Sequence, residues 1–477
     1  MSEPLTSRIH SRVTSLRAKF RSSTLARAAL VTGVLTILCK GIGFGKELVI
    51  ASQFGVGATL DSYLVAIVLP TMVYNVFGLS FASALVMQYI KNQTHAGDAV
   101  AKQRYANSMF WGMGFVVSVS VTGALLGPVL LQWMSPGFRP ELQATTQSLL
   151  WLLLPYSLLT GMSVIWSSIL NARGRFVASA LSPGVISLGL IGAVSYWPVS
   201  DARVLVGGIT AGAFLDVVIL GYCIRQEGLP LLPTYGGWQP EHGVLASQMF
   251  PMMAGALLLY CTVMVDQSMA STLGEGSVSE LNYGIRFVAM VMGLIAMPMG
   301  KIVFPHFVQL VEAQKWHEVQ ATLRKSVLVL LAISLPITIL LAACSTPIVN
   351  WTFQRGRFTP EMATRVSAVQ VMCAMQIPFY LWSMLQGRLV VALRLRRAML
   401  VSGVMNLTTN VVLDYLLMGP LGVAGIALST ALVYLGSACY FSAAIRVALR
   451  RKICEQEEID HRSEAESGAV PRSRWAA

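Results

Sequence analysis

Three basic side chains stand inside apolar stretches of this sequence: Lys40 and Lys46 in the first stretch, Arg286 in another far downstream. A basic group at bilayer depth costs roughly 2.5–3.5 kcal/mol on insertion scales, and such groups mark ion or substrate pathways. The chemistry they fit is capture of an anion such as a diphosphate. Arg286 would be the planar two-pronged donor and the lysines point charges. Lys40 and Glu47 are spaced to share a helix face, and Gly41, Gly43 and Gly45 between them allow a bend. The same residues could instead form internal ion pairs, such as Lys46 with Glu47, that hold helices together. The residues alone leave both readings open. Gly41 to Lys46 is not a phosphate-binding loop, because Lys40 and Glu47 stand where that motif needs a glycine and a Ser or Thr.

A second group is acidic and polar. Asn410 and Asp414 lie one helical turn apart on one face, and Asp266 and Thr430 lie in other apolar segments. Oxygen ligands of this kind suit a small hard cation or a proton relay, or else a set of interhelical hydrogen bonds. Asp216 and Arg388 are further charges in apolar segments, expected to be buried but without a specific role. No Ser/His/Asp set or metal-ligand cluster is visible, and the connections are short, so the sequence does not predict an enzyme or a cofactor beyond a coupling ion, sodium or proton. The 7 cysteines are scattered without a CxxC and read as small core residues.

The elements that must position these groups are membrane helices. The 477 residues are 55% hydrophobic and only 12% charged, with a mean hydropathy of +0.63, the composition of an all-α polytopic membrane protein. The net charge of +13 lies between apolar segments, the pattern of cytoplasmic membrane loops rather than of a nucleic-acid binder. A span needs about 20 apolar residues. Twelve candidates follow: 25–53, 60–90, 105–134, 144–171, 176–198, 203–224, 245–272, 278–303, 324–352, 364–391, 398–418 and 421–448. Basic residues fall mostly in alternate connections, which predicts both termini in the cytoplasm.

The expected organisation is a basic tail at 1–24, an N-lobe at 25–224, a linker at 225–244, a C-lobe at 245–448 and a cytoplasmic tail at 449–477. The first tail carries Leu5, Ile9, Val13, Leu16 and Phe20 at helical spacing and reads as an interfacial helix or a disordered basic arm. The long first apolar stretch reads as a retained span rather than a cleaved signal. The polar segment from Glu455 is expected to be disordered. Pro155, Pro336 and Pro378 are expected kinks. The two lobes look like repeats. Ala51-Ser52 with Gly55, Gly57 and Asp61 aligns with Ala270-Ser271 with Gly274, Gly276 and Glu280. Arg173-x-Arg175 aligns with Arg394-x-Arg396, and Gly208-Ile209 with Gly425-Ile426. Parallel repeats of this kind build transporters whose halves rock about a midplane site, here a central cavity between two pseudo-symmetric six-helix lobes.

The stretch Cys39-Lys40-Gly41-Ile42-Gly43-Phe44-Gly45-Lys46-Glu47, then Ala51 to Gly57, Asp61-Ser62-Tyr63 and Leu69-Pro70, resembles the MurJ (MviN) family. That family comprises lipid II flippases of the multidrug/oligosaccharidyl-lipid/polysaccharide exporter superfamily. Gly276-Ser277-Val278-Ser279 with Tyr283 and Arg286 is similar to the start of the family's eighth span. Phe353-Gln354-Arg355-Gly356-Arg357-Phe358-Thr359 is similar to its F-x-x-G-x-F-T loop. The resemblance implies alternating access around a cationic cavity. It also implies diphosphate contacts at Lys46, Glu47 and Arg286, a further functional cation at Lys40, and a sodium site at Asp266, Asn410, Asp414, Thr430 and the Ile426 carbonyl. Asp61, Tyr74, Asn75 and Arg388 are further cavity candidates. Three departures stand out. Lysines replace the family's span-1 arginines, Tyr74 and Asn75 replace an arginine pair, and Leu79 replaces a glutamate. The twelve expected spans are also two fewer than those of lipid II flippases. These departures favour a different polyprenyl-diphosphate-linked oligosaccharide, serving an exopolysaccharide or similar surface glycan, with the bilayer and glycan-assembly proteins as partners. Lipid II is the first alternative and a drug exporter the second, although a pump for cationic drugs would line its cavity with acids. A membrane glycosyltransferase would need a large external loop.

Overall fold

The computed structural model describes residues 31–197, 201–298 and 303–468. The basic tail expected at 1–24 lies outside them. Among the described residues every regular element is a helix. It divides into two units, one comprising residues up to Tyr260 together with Arg355–Thr359, the other comprising Cys261–Gln354 and the residues from Pro360 onward.

The first unit holds α1 (31–54), α2 (Ala58–Ala66), α3 (Val68–Met72), a π-helical turn at Val73–Gly78, and α4 (Leu79–Ala96). It continues with α5 (Asp98–Leu125), α6 (Gly127–Met134), α7 (Pro140–Leu152), α8 (Leu154–Ala172), α9 (Phe176–Tyr196) and α10 (Ala202–Gln226). Next comes α11 (Pro240–Ser271), which begins in the first unit and ends in the second. The second unit then holds α12 (Ser277–Pro298), α13 (Phe304–Glu312), α14 (Trp316–Ala343), α15 (Ser345–Phe353), α16 (Pro360–Ala374), α17 (Gln376–Ala392), α18 (Arg396–Leu421) and α19 (Val423–Gly468).

Among the described residues ten helical segments are long and apolar enough to cross a membrane, and the bent pair α7–α8 makes an eleventh. Helix α1 stands where the first span is expected, and Lys40, Lys46 and Glu47 put three charged residues close together in the middle of it. The 43° bend between α7 and α8 has a local cause. Pro155 cannot donate to the carbonyl of Trp151, so the ladder breaks at Leu153. The break at Met375, between α16 and α17, precedes Pro378 in the same way. Pro336 lies inside an unbroken α14.

Packing within each unit relies on small residues, as expected where lipid removes the hydrophobic drive between helices. Helices α9 and α10 meet backbone to backbone: a Cβ on Gly189 would lie 2.4 Å from the Cα of Gly212. Gly425 likewise presses against the Leu417 carbonyl, with 2.2 Å left for a Cβ. The repeated glycines both sit at close helix contacts, Gly208 with 2.7 Å between a Cβ and the Ala193 side chain, Gly425 against backbone. The turns after α8 and α17 also share one hydrogen-bond pattern, Arg175 N to Leu170 O at 2.8 Å and Leu395 N to Val390 O at 3.1 Å. Their left-handed residues are Gly174 and Arg394. The structural register therefore pairs Gly174 with Arg394, one residue away from the alignment of the two Arg-x-Arg motifs.

Two other expectations change. The polar segment from Glu455 continues α19 as helix through Gly468. Glutamate, glutamine and alanine favour helix there, and Arg451 pairs with Glu455 one turn on at 2.9 Å. Of the 7 cysteines only Cys39 and Cys373 are buried, so most are not core residues. A cysteine in an apolar span can face lipid as readily as protein.

Candidate functional site

In α1, Lys46 Nζ lies 3.0 Å from Glu47 Oε1. Glu47 is buried at 7% exposure, while Lys46 is half-buried and Lys40 is exposed. The structure therefore joins Lys46 to Glu47, whereas Lys40 and Glu47 differ in burial despite their helical spacing. Asp61 is fully buried in the first turn of α2. Tyr74 and Asn75 lie in the π-helical turn Val73–Gly78, and Asn75 Nδ2 donates to the Thr71 carbonyl at 2.9 Å. Wide turns of this kind occur frequently at functional sites. Arg286 is half-buried on α12, one turn after Tyr283, whose ring packs 5.2 Å from that of Phe353. Lys40, Lys46 and Glu47 belong to the first unit and Arg286 to the second. Arg388 is not the buried charge expected from its apolar stretch. It is exposed on α17 with its guanidinium 6.0 Å from the Phe304 ring centroid.

The polar cluster of the second unit does assemble. Asn410 Nδ2 donates to Asp266 Oδ1 at 2.8 Å, and Thr430 Oγ1 donates to Asp266 Oδ2 at 3.5 Å and to the Ile426 carbonyl at 3.3 Å. Asn410 and Asp414 share the inward face of α18 and are buried at 1% and 0% exposure. Ser429, a residue the sequence reading missed, donates to Asp414 Oδ1 and also reaches the Ile426 carbonyl at 2.9 Å. Its only signal was its place beside Thr430. Asn410 Oδ1 and Asp414 Oδ2 remain buried without a hydrogen-bond partner. Among the described residues no group of three or more His, Cys, Asp or Glu side chains gathers as a metal centre. Two carboxyls, an amide oxygen, a hydroxyl and a carbonyl are instead hard oxygen donors. Two open acceptors fit a small alkali cation or a proton.

The first unit has its own buried acid. Asp216, 1% exposed on α10, accepts from Ser163 of α8 at 2.5 Å and Ser182 of α9 at 2.8 Å, both at Oδ2. The sequence showed the charge but not the two serines, which are ordinary residues in apolar helices until the fold brings them together.

The loop after α15 carries a further structural signal. Arg357 N donates to the Ser52 carbonyl at the end of α1 at 2.9 Å. Gly356, at φ +57, leaves only 2.2 Å between a Cβ and that oxygen. Gly55, at φ +63, leaves 2.9 Å to the Arg357 carbonyl. The two glycine-bearing motifs of the sequence therefore meet, and each glycine is required by the other's backbone.

With this geometry in place, comparison with known proteins is informative. The profile of the family described as "Lipid II flippase MurJ" matches residues 50–461. A probable lipid II flippase MurJ of Synechocystis sp. is 27% identical over 439 residues, 88% of this chain and 81% of that protein. One from Thermotoga maritima is 22% identical over 420 residues, 88% and 85% of the two chains. Among solved structures, lipid II flippase MurJ in an inward closed conformation superposes with a TM-score of 0.74 at 19% identity, covering 89% of this chain and 90% of the other. An inward-facing multidrug transporter of the MATE family superposes at 0.71 with 10% identity, covering 89% and 98%. At these identities the two structures establish the fold alone. The family description and the curated relatives name lipid II rather than an exopolysaccharide precursor, and so support the lipid II alternative better than the exopolysaccharide expectation. This multi-pass membrane chain belongs to the lipid II flippase MurJ family.

Proposed function

We propose that this protein translocates lipid II, a polyprenyl-diphosphate-linked peptidoglycan precursor, across the bacterial inner membrane by alternating access, with both termini in the cytoplasm. The observation that carries this reading is the presence of Lys46, paired with Glu47, and of Arg286 within the apolar helices α1 and α12 of a MurJ-family chain. In this reading those cations, with Lys40 nearby in sequence, neutralise the diphosphate while the polyprenyl tail stays in lipid. Arg286 supplies two parallel donors and Lys46 a point charge held in place by Glu47. A sodium ion or proton taken up at Asp266, Asn410, Asp414, Thr430 and the Ile426 carbonyl biases one state and resets the cycle.

A second reading, a different lipid-linked oligosaccharide for a surface glycan, is favoured by Tyr74 and Asn75 in the π-helical turn and by Leu79 just after it. These residues replace charged groups expected from the family pattern. One experiment separates the two: expression in a strain depleted of its own lipid II flippase. Growth under depletion supports lipid II. Lysis despite normal membrane levels of the protein refutes it and leaves the surface-glycan reading, which loss of glycan export on deletion of the gene would then test.

A further inference from the structure

A cavity of about 440 Å³ opens in the second unit between α14, α17 and α19. Its volume lies within the usual range for small-molecule sites. Three arginines line it: Arg324 of α14, with Arg446 and Arg450 of α19. Arg446 and Arg450 are one helical turn apart, so two like charges share a face, an arrangement that weakens an isolated helix. Neighbouring basic groups have partners. Arg451 pairs with Glu455 at 2.9 Å, and Lys452 sits 5.0 Å from the centroid of the Trp316 ring. Arg324, Arg446 and Arg450 form no ion pair among the described residues, and no acid lines the cavity. The remaining wall is apolar, with Val327, Ile445 and Leu449 prominent. Its one uncharged polar spot besides Gln320 is the buried Gln386–Ser442 contact at 2.5 Å.

Three exposed arginines beside an apolar wall on membrane helices match one kind of occupant. We propose that this cavity binds an anionic phospholipid of the surrounding leaflet, its phosphate held by Arg324, Arg446 and Arg450 and an acyl chain laid along α14 and α19. Basic pockets between membrane helices recognise such headgroups, and each arginine near an anionic surface contributes about a fivefold preference. Three together give roughly 100-fold over a zwitterionic lipid. The site uses none of the residues assigned to the transported headgroup. It stands or falls independently of the lipid II reading.

The test uses the full chain, delipidated and reconstituted in nanodiscs of phosphatidylcholine containing a minority of phosphatidylglycerol, with retained lipid counted by native mass spectrometry. Wild type is expected to keep phosphatidylglycerol. The double variant Arg446→Gln, Arg450→Gln is expected to lose it by at least roughly tenfold, while melting in lipid-free detergent like wild type because both side chains are exposed. The control pair Arg396→Gln, Arg397→Gln, on α18 outside the cavity, is expected to retain it. Equal retention by the cavity and control variants overturns the proposal. So does loss of the retained phosphatidylglycerol on adding free glycerol phosphate equal to the loss on adding excess intact lipid.

Discussion

Gly356→Ala is the sharpest perturbation available. Gly356 stands at φ +57, where an L side chain costs about 1–2 kcal/mol. Its new Cβ would lie 2.2 Å from the Ser52 carbonyl oxygen and 3.0 Å from the Ser52 carbonyl carbon. Both partners are backbone, so neither can swing aside. The loop must retreat by about 1 Å to reach ordinary van der Waals distance, which breaks the 2.9 Å bond from Arg357 N to Ser52 O. A hydrogen bond of that kind contributes about 0.5–1.5 kcal/mol. The combined loss is about 1.5–3.5 kcal/mol, equivalent to about 3–14 °C in melting temperature for a unit of this size. The assay is thermal melting of the purified protein in detergent. Gly192→Ala is the control. That glycine lies in α9 with nothing within 4 Å of its Cβ position, and alanine there should hold or gain up to about 1 kcal/mol. A Gly356→Ala protein that melts with wild type would refute the claim that these two backbones touch.

Other consequences are equally specific. Gly112→Ala would place a Cβ 2.1 Å from the ring of Phe81, itself 2% exposed, and should lower stability by about 1–3 kcal/mol in the same melt; no change would contradict the packing of α4 on α5. Asp414→Asn removes a charged donor from the oxygen cluster of α11, α18 and α19. Sodium-dependent stabilisation should then need about 10–150-fold more sodium, corresponding to about 1.5–3 kcal/mol, and an unchanged sodium midpoint would remove the cation site. Asp216→Asn keeps acceptors for Ser163 and Ser182 and should melt close to wild type. Asp216→Leu should cost about 1–3 kcal/mol, and equal melting of the two would mean that the serine contacts carry no stability.

What the sequence revealed depended on whether a signal is local. Asp266, Asn410, Asp414 and Thr430 stood out because polar side chains are conspicuous in apolar helices, and the fold gathers them. Ser429 and the two serines on Asp216 did not, because serine is unremarkable in a membrane helix until a partner helix arrives. The α7–α8 bend was legible from Pro155, since a missing N–H acts at its own position. Charge in an apolar stretch says nothing about which way the helix faces, and Arg388 accordingly lies exposed beside Phe304. Repeat register was legible only to within one residue, because Gly174 and Arg394 reach the same left-handed turn with different side chains. The helical continuation past Glu455 was hidden by its polarity, which lowers hydropathy without lowering helix propensity.

In the proposed mechanism, intramembrane cations receive the diphosphate. Its most direct test is translocation in proteoliposomes loaded with labelled lipid II, followed by the accessibility of the headgroup to an external enzyme. Wild type should move the label across. Arg286→Ala, shown to be folded by its melt, should move it at least about tenfold more slowly, the loss expected for a charge-assisted contact of about 1.5–3 kcal/mol. Transfer by Arg286→Ala at the wild-type rate would contradict the account.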